Sequence, residues 1–315
     1  MSASPMRASA SGAASRPDTP PAPPILVDLD DVTVGYDHHP AIHHLRLQIA
    51  AGDMLAVVGP NGAGKSTFLK LLTGERLSVD GQVRLPERQH CRIAYLPQIT
   101  QTDRQFPITV QDMVASGLWH RSGAFGRLGR QERRQIDEAL ELVGLRSYAG
   151  RVISALSGGE FQRVRFAQLM LQQARMVVLD EPFVGVDVTT TEVLLGLLAH
   201  WHEQGTTIVA ALHEQDIVQQ WFPRTLLIAR EMIGCGATAE ILTPQNWQRA
   251  LARSAAARAP SRRWCTGLDT LPGDAATVDA AADGAVVPIP APAPASSSPP
   301  VSLSPARADA PHARV

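Results

Sequence analysis

Cysteine is scarce. Cys91, Cys235 and Cys265 are spread across 315 residues. An odd number at wide spacing excludes a disulfide framework and a cysteine-type metal knot, and fits a reducing compartment. Long apolar runs are absent too: none reaches the roughly 20 residues of a membrane-spanning helix. Residues 1–24, mostly Ala, Ser and Pro, contain no apolar signal-peptide core. No sign of charge dominates. A formal net charge of -1 excludes the broad basic field of a nucleic-acid binder. Internal repeats are missing as well. These absences point to a soluble, cytosolic protein, and a hydrophobic content of 44% is ample for a core.

What is present is concentrated first in Gly59-Pro60-Asn61-Gly62-Ala63-Gly64-Lys65-Ser66-Thr67. This stretch matches G-x-x-x-x-G-K-[ST], the phosphate-binding loop of nucleotide hydrolases. An apolar run, Met54 to Val58, precedes it as a buried strand, and Phe68, Leu69, Leu71 and Leu72 follow on one helical face. Glycines let the backbone curl so that successive N–H groups face one phosphate, and the helix N-terminus adds partial positive charge. Lys65 is placed to reach the β- and γ-phosphates, and the Ser66 hydroxyl to ligate Mg²⁺.

Along the rest of the chain, Leu26 to Tyr36 and the alternating Leu45, Leu47 and Ile49 read as strands. Gln82 to Leu85 and Arg92 to Tyr95 read as shorter ones. Helices are expected over Ile108 to Leu118 and Arg130 to Val143. A third opens at Ser157, which has capping-box spacing to Glu160 and an apolar stripe through Phe161, Val164, Ala167 and Leu171. A helix over Thr189 to Glu203 should turn Val193, Leu194, Leu197, Leu198 and Trp201 inward. Thr206 to Leu212 is a buried strand, and Thr225 to Ala229 the last clear one. Beyond about Leu251 the pattern fails, and residues 266–315 are Ala-, Pro- and Ser-rich without periodicity.

Met176 to Leu179 is a buried strand that ends in Asp180-Glu181-Pro182. Two acids at a strand exit lie where open α/β sheets hold their ligands. Asp180 can hold Mg²⁺ through water, which leaves Glu181 to orient or deprotonate an attacking water. Histidines invite a metal reading at His38, His39, His43 and His44, and at His200 and His202. Strand alternation, however, sends His43 and His44 to opposite faces, away from any joint site.

GPNGAGKST at 59–67, LPQ at 96–98, LSGGE at 156–160, VVLDEP at 177–182 and His213 occur in an order that resembles an ABC transporter ATP-binding subunit, over roughly Leu26 to Trp247. The resemblance implies an α/β fold, a P-loop NTPase ABC cassette: a RecA-like mixed sheet core, an antiparallel β subdomain and a helical subdomain at about 98–172. The cassette would span 25–251 between disordered tails, 1–24 and 252–315. ATP and Mg²⁺ are the implied ligands. Tyr36 then matches the aromatic that stacks on adenine, and Gln98 the glutamine that touches Mg²⁺ and water. Ser157, Gly158 and Gly159 match the signature that contacts a γ-phosphate on the other protomer. Asp187 matches the acid that crosses the dimer interface, and His213 the γ-phosphate sensor. Glu160 keeps only its capping role. One copy of each motif implies a homodimer, docked on the inner face of the cell membrane against an integral-membrane permease. A substrate-binding protein would act on the other side, and no nucleic acid is involved. Asp103 to Val114 resembles the D-x-x-F-P-x-T-V-x-D-V-V pattern of zinc/manganese importer ATPases, and Phe106 to Trp119, Trp201-His202 and Leu242-Thr243-Pro244 resemble AztA-like zinc importer ATPases, which makes zinc the leading expected cargo.

Overall fold

The computed structural model describes residues 23–36, 39–75, 78–85, 91–98, 106–123 and 128–256. All fall within the first of two units, Met1–Leu271; the second, Pro272–Val315, lies outside the described residues. So do the expected tails, apart from their inner ends.

Two long strands open the chain, β1 (Ile25–Tyr36) and β2 (His39–Ala50). They pair antiparallel with irregular register, and β4 (Ser78–Arg84) joins the other edge of β1, giving the order β2-β1-β4. The second sheet runs β5-β6-β7-β3-β8-β9. Its strands are β3 (Met54–Val58), β5 (Ile93–Leu96), β6 (Met176–Asp180), β7 (Thr207–Ala211), β8 (Arg224–Ile228) and β9 (Met232–Ala237). All are parallel except β9, which returns antiparallel along β8.

β3, β6 and β7 are buried along their whole length, as expected of parallel strands covered on both faces. Alternation assigns their side chains to two cores. Leu55, Val57, Met176, Val178, Val209 and Ala211 face one core, shared with α1 (Lys65–Leu72) and the antiparallel sheet. Ala56, Val58, Val177, Leu179, Ile208 and Ala210 face the other. That second core is closed by α6 (Val188–Glu203), α7 (Gln215–Trp221) and α9 (Pro244–Ala256), with the short α8 (Thr238–Ile241) between them. A third core lies among α2 (Val110–Ala115), α4 (Arg130–Leu142) and α5 (Gly158–Leu171); α3 (Trp119–Ser122) follows a 3-10 turn at Ser116–Leu118. Register sets the functional edge: Asp180 pairs with Ala211, and Ala211 with Val57. The carboxyl ends of β6, β7 and β3 therefore emerge side by side.

The structure revises several sequence expectations. The helix expected from Ile108 begins at Val110, because Thr109 bridges Val152 and caps the helix in a capping box with Asp112. On α6, Val193 faces out at 48% exposure and Leu195 is buried in its place. The strand expected to be last is followed by β9, whose half-exposed, glycine-interrupted sequence carries no alternation signal. Helix α9 continues past Leu251 to Ala256. His43 is buried while His44 is exposed and bonded to Asp31. No group of three or more His, Cys, Asp or Glu among the described residues could hold a metal ion. No helix among them is long and apolar enough to cross a membrane.

Candidate functional site

The loop between β3 and α1 is shaped by close contacts as much as by glycine. Gly64 caps α1 at φ 98°, and a Cβ there would lie 2.6 Å from Cγ1 of Ile42 on β2. A Cβ on Gly59 would lie 2.1 Å from the carbonyl oxygen of Ile228 at the end of β8. The Arg230 N–H donates to the Ala63 carbonyl (2.9 Å), and the Arg230 carbonyl accepts from the His43 N–H (2.6 Å). Strands of both sheets thus fasten the loop. Lys65 is buried, and its Nζ donates to the carbonyls of Gly59 (2.9 Å) and Pro60 (3.4 Å). Burial holds its pKa below the usual lysine value, against the opposing pull of Glu181 and Asp180.

Ser66 Oγ donates to Oδ1 of Asp180 at 3.2 Å. Asp180 ends β6 and is buried. Burial, more than any other influence, raises its pKa; Glu181 adds to the rise, while the Ser66 hydrogen bond and the charges of Lys65 and Lys70 oppose it. A serine hydroxyl and a carboxylate within hydrogen-bond reach are hard oxygen donors of the kind Mg²⁺ takes beside phosphates. The donor set therefore fits the metal expected from the sequence.

Glu181 leaves the strand with φ 50°, a left-handed conformation uncommon for a non-glycine residue. Its N–H donates to the Ala211 carbonyl at 3.1 Å, which turns the side chain out over the sheet edge. There Gln98 Nε2 donates to Oε2 at 2.7 Å, and His213 Nε2 engages Oε1. Three expected residues thus converge from the ends of β5, β6 and β7. A carboxylate held at both oxygens beside a phosphate cradle can orient a water and accept its proton.

Ser157, Gly158, Gly159 and Asp187 form a separate group. Ser157 caps α5 in a capping box with Glu160, and that bonding holds the Glu160 carboxyl below its usual pKa. Asp187 caps α6, its side chain accepting from the Thr190 N–H at 2.9 Å, which lowers its pKa. The two caps touch: a Cβ on Gly159 would lie 3.1 Å from Asp187 Oδ2, and one on Gly158 3.4 Å from the Gly185 carbonyl. Tyr36 ends β1, but its side chain lies outside the described residues.

The family model described as ABC transporter matches residues 42–184. The chain is 38% identical over 223 residues to the manganese transport system ATP-binding protein MntB of Halalkalibacterium halodurans, covering 70% of this chain and 89% of that protein. The chain belongs to the ABC transporter ATP-binding family. It is also 37% identical to the zinc transport system ATP-binding protein TroB of Treponema pallidum, over 71% of this chain and 86% of that protein. Among solved structures it is similar to a metal-chelate type ABC transporter in an inward-facing conformation: TM-score 0.64, 27% identity, 72% of this chain and 89% of that one. The ADP conformation of an ATP-binding cassette shares the fold, with TM-score 0.60 at 19% identity over 72% of this chain and 98% of that one. As an ABC ATPase the chain binds nucleotide and hydrolyses ATP as one subunit of a transport system.

Sequence reading missed two polar residues of this ABC ATPase that reach the site from α5. Gln162 Nε2 donates to the Pro182 carbonyl at 2.6 Å, and Arg165 Nη2 donates to the Pro97 carbonyl. Both are buried. Their only sequence signal is polarity beside an apolar stripe, which equally describes a solvated helix face.

Proposed function

We propose that this chain powers uptake of a divalent transition metal, zinc or manganese, with zinc the first candidate. It would pair with a second copy of itself on the inner face of the membrane, against a permease fed by a substrate-binding protein. The observation that carries the catalytic part is the convergence of Gln98, Glu181 and His213 beside Lys65, Ser66 and Asp180. Similarity to manganese- and zinc-transport ATPases over about 70% of the chain supports the cargo.

In this reading Gly59 to Thr67 present N–H groups to the β- and γ-phosphates, and Lys65 turns its ammonium from its own loop carbonyls to the γ-phosphate. Ser66, Asp180 and Gln98 would hold Mg²⁺, which would supply positive charge beside the phosphates. Glu181 accepts a proton from the attacking water as the bond between the γ-phosphorus and the ADP oxygen breaks. Gln98 and His213 keep its carboxylate in place. Tyr36 supports adenine. Ser157, Gly158 and Gly159 at the α5 N-terminus, with Asp187 against them, face the nucleotide of the second copy. The cassette takes in residues 25–251, with α9 running on to Ala256 and its helical subdomain at about 98–172.

A second reading, chelated iron or haem as cargo, is supported by the likeness to a metal-chelate type transporter. Cellular metal content under zinc limitation, with the chain present or deleted, separates these readings. Loss of cell zinc on deletion supports zinc. Loss of manganese or iron instead redirects the cargo, and unchanged content of all three rejects metal uptake.

A further inference from the structure

We propose that Arg165 and Gln162 act as one positioning clamp that sets the spacing between Gln98 and Glu181. Helix α5 lies between two apolar cores. Phe161, Val164, Ala167 and Leu171 enter one; Phe166 and Leu169 enter the other. Gln162 and Arg165, at 1% and 6% exposure, occupy the seam between them. A buried guanidinium and a buried amide are costly unless bonded, and here the bonds form a chain. Arg165 Nη2 donates to the Pro97 carbonyl, Arg165 Nη1 donates to Gln162 Oε1 at 3.3 Å, and Gln162 Nε2 donates to the Pro182 carbonyl at 2.6 Å.

The two carbonyls at its ends belong to the residue before Gln98 and the residue after Glu181. The ring is closed on the far side by the Gln98–Glu181 hydrogen bond of 2.7 Å. Two loops that start from neighbouring strands, β5 and β6, are therefore gripped from behind by one helix. That helix carries Ser157 at its N-cap. A shift of α5 at its capped end is transmitted through Gln162 and Arg165 to both loops at once. Neither residue touches the reacting atoms; they hold the main chain that does.

The inference rests on the assignment of Glu181 as the base, and the experiment separates the two. ATP turnover and nucleotide affinity are measured on the full chain as Gln162→Met, Arg165→Met, the double variant, Arg165→Lys and Glu181→Gln. Arg163→Met is the control, because Arg163 lies on the same helix but donates to the Val143 carbonyl, at the C-cap of α4. The clamp predicts that kcat falls on the order of 10- to 100-fold in each single Met variant, with KM for ATP nearly unchanged. The double variant is no slower than the worse single one, since either cut opens the same chain. Arg165→Lys recovers part of the loss. Arg163→Met lowers the melting temperature without that fall in kcat. Should Arg165→Met fail to fold, Gln162→Met and Arg165→Lys decide. Parental kcat in Gln162→Met, or losses that simply follow melting temperature as in Arg163→Met, overturns the clamp. If Glu181→Gln itself turns over normally, the base assignment fails instead.

Discussion

Gln98 and Glu181 meet side chain to side chain at 2.7 Å, although 83 positions separate them in the chain. With His213 on the other oxygen, the Glu181 carboxylate is fixed in direction. A general base is useful only where it is held within reach of its proton, so in the proposed role of Glu181 this bond would set where the attacking water arrives.

Replacing Glu181 by Gln keeps the shape and both neighbours but removes the basic oxygen. Turnover should fall roughly 10²- to 10⁴-fold, the range for a lost general base, with ATP affinity retained. Phosphate release and equilibrium nucleotide binding check this, and light scattering should show a nucleotide-held dimer. Turnover within a few fold of the parent rejects the assignment.

Asp180→Asn should raise the melting temperature at neutral pH without nucleotide. Burial lifts the native pKa of Asp180 above the unfolded value of 3.8. The native state thus binds more protons across that window, and stability falls as pH rises through it. Above that window the buried charge carries the full penalty, and asparagine removes it. The same change should abolish the extra thermal stabilisation given by Mg²⁺ with ATP. A variant that melts below the parent at pH 7 contradicts this account.

His43 gives the opposite slope. Burial, then the neighbouring His44 and Arg230, holds its native pKa below 6.5. The unfolded chain binds more protons between the two values, so stability is lost as pH drops below 6.5. His43→Leu should flatten the fall in melting temperature between pH 7.5 and about 5.5 relative to the parent. An unchanged slope shows that the acid sensitivity lies elsewhere.

Gly64→Ala tests the seam between the phosphate loop and β2. The added methyl meets Ile42 at 2.6 Å and the Ala41 carbonyl at 2.9 Å, on a backbone with φ 98°. Loss of stability by more than about 1 kcal/mol is expected, together with loss of nucleotide binding. Denaturant titration and nucleotide binding measure the two effects; parental values for both show that the loop tolerates the crowding.

The legible parts of the chain were those where several signals coincide. β3, the phosphate loop and α1 were clear because a buried run, glycines and an apolar helical face agree. Asp180 and Glu181 were clear because two acids end an apolar strand. Elsewhere local pattern and tertiary contact diverge. Ile108 and Thr109 look helical but are drawn into contacts with Val152 and Ile153. β9 is legible only through its partner β8, since Gly234, Cys235 and Gly236 have no strand-like alternation. Gln162 and Arg165 reveal their role only once α5 is seen to lie between two cores, because carbonyls distant in sequence are their acceptors.

Glu181 occupies φ 50°, where glycine or asparagine is at ease and glutamate is not. The backbone at this one position prefers a residue without the chemistry. A library of variants screened for heat resistance alone should therefore drift toward Gly or Asn at 181, yielding sturdier cassettes that, with Glu181 as the proposed base, would no longer turn over. Stabilising this protein for use would require that codon to be held constant along with those of Lys65, Ser66, Gln98, Asp180 and His213.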